Sequence, residues 1–214
     1  MKRAFVSFSG GKDSHLSLFK AQKAGYTVCA LLSMTDEDGQ HSASHHLPLS
    51  ILQNQAKFLG IPLLVRSTSW DEYERNFIES LHLLKGKGIE YGIFGDIDVI
   101  DHLQWIKRVC AIEEIEPILP LWGNDHIEVA KEFIGSNFEA YVVIVKDQIL
   151  PLSYLGRRYD YTLINELLDL GVDPCGENGE FHTLVVNGPL YHHPLSYYFG
   201  DVYFDKGYHF IMIK

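Results

Sequence analysis

Between Ser7 and Ser14 the chain reads Ser-Phe-Ser-Gly-Gly-Lys-Asp-Ser, placing hydroxyls, two glycines, a cation and a carboxylate on one short stretch. The apolar run Ala4-Phe5-Val6 precedes it and a helical pattern from His15 to Ala21 follows, so it lies where a buried strand turns into a helix. Gly10 and Gly11 remove the Cβ atoms that would hold an anion away and permit the positive φ angles that converge successive N–H groups. Ser9, Asp13 and Ser14 can cap the helix or offer hydroxyls, the helix dipole favours negative charge, and Lys12 adds a mobile cation. A loop lysine of this kind is expected to bury little. The expected ligand is a phosphate chain. The spacing fits neither the Walker loop nor the dinucleotide fingerprint, and an ordinary glycine turn is the bland alternative.

A second dense stretch runs Asp173-Pro174-Cys175-Gly176-Glu177-Asn178-Gly179-Glu180-Phe181-His182-Thr183. If a strand begins here, its alternation puts Glu180 and His182 on one face and Phe181 on the other. A carboxylate beside an imidazole can hold, orient or deprotonate an amine, and a glycine loop can admit a substrate carboxylate close to the backbone. The competing reading is a surface hairpin with an incidental histidine.

These two stretches need a scaffold, and the first 120 residues supply a regular one. Strands are expected at Tyr26–Met34, Ile61–Val65, Tyr91–Phe94 and Glu116–Pro120, with helices from about Leu49 to Leu59, from Trp70 to Lys85 and around His102–Cys110. Pro48 fits the first helical position of the Leu49 helix and Gly60 its stop. The aromatics between Trp70 and Lys85 read as core, and Asp36-Glu37-Asp38-Gly39 as a solvated turn. Strand and helix alternate, so the expected fold class is α/β: a parallel sheet with helices on both faces over residues 1–120, then a smaller C-terminal α/β domain over 121–214. Ligands of such sheets sit beyond the carboxyl ends of the strands. That edge would bring Ser33, Met34, Thr35 and the Gly95-Asp96 corner to the nucleotide, with Gly95 allowing close approach and Asp96 or Asp98 orienting a ribose or holding Mg²⁺. Asp98 is either a helix cap or a ligand. Beyond residue 121, Asn124 or Asp125 should cap a helix through Phe133, Phe138–Lys146 should be a strand and Thr162–Leu170 a short helix. Arg157, beside Arg158 in a basic turn, suits an anion or plain solvation.

Composition bounds the partners. The chain of 214 residues is 46% hydrophobic, enough for a sizeable core, and its net charge of −10 weighs against holding nucleic acid by phosphate neutralisation. Cys29, Cys110 and Cys175 are far apart with no C-x-x-C pair, so neither a disulfide framework nor a cysteine metal site is expected. Among eleven histidines, His41, His45 and His46 cluster and His192 and His193 are adjacent. Adjacent histidines on a strand or loop point apart, so neither adjacent pair alone makes a metal site. With no signal-peptide core and no run of apolar residues long enough for a membrane, a cytoplasmic protein is expected, with oligomeric state left open.

Ser9-Gly10-Gly11-Lys12-Asp13-Ser14 resembles the SGGxDS signature of the PP-loop ATP pyrophosphatases, which cleave ATP between the α and β phosphates and activate substrates as adenylates. Taken with Gly95-Asp96, Leu121-Trp122-Gly123, Leu155-Gly156-Arg157, Gly176 to Thr183 and Pro189-Leu190-Tyr191, in that order, the chain is similar to the diphthine–ammonia ligase family over nearly its whole length. The resemblance implies a Rossmann-like PP-loop fold, ATP and Mg²⁺ as cofactors, and adenylation of a carboxylate followed by displacement of AMP by ammonia. In the family that carboxylate belongs to diphthine on elongation factor 2. It also implies roles for Lys12, Glu177, Glu180 and His182 in the chemistry, and for Arg157, Gly176, Asn178, Gly179 and Thr183 around the acceptor. Asn178 stands where the pattern usually has Gly. The His45-His46-Leu47-Pro48 entry looks more like bacterial relatives, whose hosts are not expected to make diphthamide, which leaves the acceptor open between diphthine and another carboxylate. A tRNA-modifying PP-loop enzyme and a nonenzymatic adenine-nucleotide-binding protein are the alternatives.

Overall fold

A computed structural model describes all residues from Met1 to Lys214. The chain divides into two compact units, Met1–Ser9 with Asp13–Gly123, and Gly10–Lys12 with Asn124–Lys214.

Short apolar runs punctuated by glycine and proline form the first unit's sheet: β1 (Lys2–Ser7), β2 (Tyr26–Thr35), β3 (Leu63–Ser67), β4 (Tyr91–Ile93) and β5 (Glu116–Ile118). All pair in parallel, in the order β3-β2-β1-β4-β5. Helices α1 (Lys12–Lys23), α2 (Leu49–Leu59), α3 (Tyr73–Gly86) and α4 (Ile100–Ile112) make the crossovers. Side chains alternate across the strands, so Phe5, Ala30, Leu32 and Met34 share one face with Phe77, Leu81 and Leu84 of α3 and Ile106, Val109 and Cys110 of α4. Ala4, Val6 and Leu31, equally buried, point the other way. The strand order reverses between β1 and β4, and a crevice beyond the carboxyl ends of strands at such a switch point is where open α/β sheets take ligands.

Two local expectations fail. Pro48 precedes α2 as its N-cap, with extended angles, and does not occupy the first helical position. Val99, not Asp98, occupies the N-cap position of α4.

The second unit is built on an antiparallel sheet of β6 (Glu139–Lys146), β7 (Phe181–Asn187), β8 (Phe199–Asp205) and β9 (Tyr208–Ile213), in the order β7-β6-β9-β8. Helix α5 (His126–Gly135) starts at Asp125, whose carboxylate accepts from Glu128 N at 3.1 Å, and α6 (Tyr161–Asp169) at Asp160, which accepts from Leu163 N at 3.0 Å. Phe133 stacks on Phe138 at 5.0 Å and meets Tyr159 edge-on at 5.7 Å, while Tyr159 lies 6.2 Å from Phe181. This aromatic core fixes β7, and therefore the segment leading into it. The β8–β9 hairpin has no counterpart in the sequence reading, although its turn, Lys206-Gly207 with φ of 46° and 85°, is the two-residue type that strand twist favours.

Candidate active site

The glycine loop leaves β1 at Ser7, and Ser9 Oγ lies 3.3 Å from Ser14 Oγ across its mouth. Gly10 adopts φ 83°, the left-handed conformation that a side chain would resist. Asp13 stands in the first turn of α1, where the helix dipole favours its charge. Gly95 serves this corner in an unexpected way. A Cβ there would lie 3.0 Å from the carbonyl carbon of Asp13 and 3.2 Å from Ser14 N, so the close approach it permits is to the loop's own main chain. The buried Ser33 donates its hydroxyl to the Phe8 carbonyl, bracing β2 against the end of β1, and Met34 is buried beside it. Asp96 Oδ1 sits 3.0 Å from His102 Nδ1. Burial, with the charge of Asp96, pushes the Tyr73 phenol up to about 12.

Lys12 departs from expectation. It is the first residue of α1 and only 5% exposed, so the notion of a loop lysine that buries little is wrong. Its amine donates to the main-chain oxygen of Cys175 and lies 5.6 Å from the Phe181 ring centroid and 5.9 Å from that of Tyr159, within cation–π range. Its amide donates to Thr183 Oγ1 at 3.1 Å, and the Gly10 carbonyl accepts from Val185 N at 3.2 Å. Residues 10–12 are thereby hydrogen-bonded along β7. The amide of Lys12 is directed at a hydroxyl where the sequence suggested a phosphate, and Thr183, 1% exposed, positions the loop.

Asp173 organises the second stretch. It accepts from Cys175 N and Glu177 N at 2.9 Å each and from His126 Nδ1 at 2.8 Å. Burial opposes its ionisation, but these hydrogen bonds and the imidazole outweigh that and hold its carboxyl below the usual value. The tie to Glu177 N fixes the backbone of Glu177. Gly176 and Gly179 take φ of 68° and 76°, and a Cβ on Gly176 would lie 2.9 Å from the Phe181 carbonyl, so the turn closes only with glycine there. Glu180 accepts from Asn178 N at 3.1 Å and from Asn178 Nδ2 at 3.4 Å. The unusual asparagine thus has a partner that glycine would lack. His182 shares a face of β7 with neither Phe181 nor Thr183, and burial plus the neighbouring Lys12 charge lower its pKa to about 4. At neutral pH it is an uncharged imidazole.

Arg157 corrects the anion reading. Both its terminal nitrogens contact the Glu166 carboxylate, and its guanidinium lies 5.1 Å from the Tyr154 ring centroid, so its charge is already matched within the fold.

Over residues 1–116 the chain matches the family described as the diphthamide synthase N-terminal domain, and over residues 125–214 the diphthamide synthase C-terminal domain. The chain belongs to the diphthamide synthase family. Human diphthine–ammonia ligase is 26% identical over 215 residues, with 88% of this chain and 80% of that protein covered. The Bos taurus protein of the same name is 27% identical at the same coverages, and the Saccharomyces cerevisiae one is 24% identical, with only 33% of its length covered. A solved structure described as a predicted subunit of tRNA methyltransferase from Methanocaldococcus jannaschii aligns with 88% of this chain and 98% of that one, at a TM-score of 0.48 and 21% identity.

Four residues of this family member escaped the sequence reading as site residues: Asp173, Cys175, His126 and Tyr159. Asp173-Pro174 carries a usable signal, because aspartate readily bonds the amide two residues on, as it does here with Cys175 N. Cys175 contributes its main-chain oxygen to Lys12, a role that no side-chain pattern encodes.

Proposed function

We propose that the chain is an ATP-dependent ligase that joins ammonia to a carboxylate through an acyl-adenylate, releasing pyrophosphate and AMP. Membership of the diphthamide synthase family supports this reading. The observation that carries it is the convergence on Lys12. Its amine reaches the Cys175 carbonyl, its amide reaches Thr183, and its charge depresses the His182 pKa, which ties residues 10–12 to the polar turn 173–183 within the second unit.

A carboxylate is a poor electrophile until its oxygen becomes part of a good leaving group. The glycine cradle at Gly10 and Gly11, the start of α1 and Lys12 suit a triphosphate, and Lys12 would stabilise charge on departing pyrophosphate. Mg²⁺, held at Asp96, would supply screening of the phosphate charges. Ser33, Met34 and Gly95 border the nucleotide in this reading. The neutral His182 and the Glu180 carboxylate accept N–H hydrogen bonds and so can hold ammonia or ammonium, with Glu177 as a second carboxylate and Gly176, Asn178, Gly179 and Thr183 shaping the acceptor's surroundings. With Arg157 engaged by Glu166, the acceptor carboxylate would rest on backbone amides of the 176–179 turn. Diphthine is the acceptor of the named relatives, and its amidation, a ligation of the acid–ammonia class, is the first reaction to assay.

The test uses ATP labelled at the α phosphate, with Mg²⁺, ammonium and either diphthine-bearing elongation factor 2 or a set of small carboxylic acids. Labelled AMP formed in step with pyrophosphate, and dependent on ammonium and the acceptor, is expected; ADP or no turnover would overturn the reading. Because Lys12 is buried, Lys12→Met is expected to lower both turnover, by at least about 100-fold, and the melting temperature. Lys12→Arg should recover stability more than activity. Full activity in Lys12→Met would remove the lysine from the chemistry.

A further inference from the structure

The loop between β2 and α2 brings Asp36, His41 and His46 together, with one ligand-capable atom from each within 4.8 Å of the others. Its backbone is closed at several points. Thr35 bridges Ser42 and His41 bridges Pro48, Leu47 N donates to Ser42 Oγ at 3.0 Å, and His46 N donates to the Ser42 carbonyl at 2.9 Å. Asp36 Oδ1 accepts from the amides of Gln40 and His41, each at 3.1 Å, which fixes the carboxylate and directs Oδ2 to within 3.6 Å of His41 Nδ1. That is long for a hydrogen bond. It is close to the ~3.4 Å that separates two ligands of a tetrahedral ion with bonds of about 2.0–2.2 Å. His46 holds φ 48°, a left-handed angle that a non-glycine residue keeps only when its surroundings impose it. This conformation lays its ring against His41, with centroids 4.3 Å apart and planes 10° apart. Stacked rings cannot aim two lone pairs at one point, so joint coordination needs one imidazole to turn about its side-chain bonds while the backbone stays.

We propose that Asp36, His41 and His46 form a divalent transition-metal site, with zinc as its occupant, on the loop beyond the carboxyl end of β2. Two imidazoles and a carboxylate suit zinc and leave one position open, whereas Mg²⁺ and Ca²⁺ prefer all-oxygen shells. The site uses His41 and His46 across the loop, not the adjacent pair His45-His46. It does not depend on the ligase reading, because binding is measured with zinc alone.

The experiment titrates the full, tag-free chain with Zn²⁺ by calorimetry, and follows the loaded protein by X-ray absorption at the zinc edge. One zinc per chain is expected, with two imidazoles in its shell. Asp36→Asn, which keeps the turn's acceptor, and His41→Gln and His46→Gln should each weaken binding at least about 10-fold, while His82→Gln leaves it unchanged and millimolar Mg²⁺ does not compete. Absence of stoichiometric binding would overturn the proposal, as would affinity unmoved by all three variants. A sulfur scatterer would assign the ion to Cys175, His126 and Asp173, the other group of potential ligands, and would also overturn it. Should a variant fail to fold, the count of imidazoles around zinc in the unaltered chain decides.

Discussion

His182 carries the clearest pH signature in the molecule. Its pKa of about 4 in the folded chain lies below the 6.5 of a free histidine, so as pH falls the unfolded chain takes up this proton first. Stability is therefore undiminished above pH 6.5 and declines towards pH 4, by at most about 3 kcal/mol from this residue. Urea melts between pH 4 and 7 should show that decline, and His182→Gln should flatten it; an identical slope in the variant would mean that the half-buried imidazole is not held neutral beside Lys12. By the same account, no inflection near 6.5 in the ligase rate should come from His182. At this scale the sequence was informative wherever chemistry is contiguous. The cap at Asn124 or Asp125 could be read because the amide that Asp125 meets, Glu128 N, lies only three residues on. Lys12 was misjudged because its burial comes from Cys175, Tyr159 and Phe181, more than a hundred positions away. Arg157 was open for a similar reason, since its partner Glu166 lies on the next helix.

Among the elements, β6 and β7 have one tight crossing. Gly188, just past β7, would place a Cβ 2.2 Å from Cδ1 of Phe138, just before β6, and its φ is not in the left-handed region, so the penalty of adding a methyl is steric alone. Gly188→Ala is expected to cost about 1–3 kcal/mol. Combining it with Phe138→Leu should cost less than the two separate losses together, as contacting residues do. Denaturant midpoints of the four proteins measure this, and simple additivity would contradict the contact. The parallel strands of the first unit were legible because buried strands read as apolar runs bracketed by Gly and Pro. The β8–β9 hairpin was not. Val202 and Phe204 on β8 are exposed, so its pattern lacks the clean alternation that a half-buried strand shows, and only Lys206-Gly207 marked the turn.

For the molecule as a whole, 28 acidic against 18 basic side chains give the net charge of −10, and several of the arginines are matched to carboxylates, Arg66 to Glu79, Arg108 to Glu74 and Arg157 to Glu166. A polyanion finds little to displace counterions for. Filter binding with bulk tRNA at 50 and 200 mM salt should therefore show weak retention with almost no salt dependence, whereas a steep loss of affinity over that range would revive a tRNA substrate. No helix is long and apolar enough to cross a membrane. The discontinuity of the second unit has a consequence for inheritance. Its residues come from two places in the chain, 10–12 and 124–214, so no single cut releases it whole. A gene fragment encoding only the later part would lack the lysine that sits against Tyr159 and Phe181 and the carbonyl that meets Val185, and recombination could not trade the two halves as independent modules. Changes in the opening loop and in β7 are thus expected to travel together through the family's history.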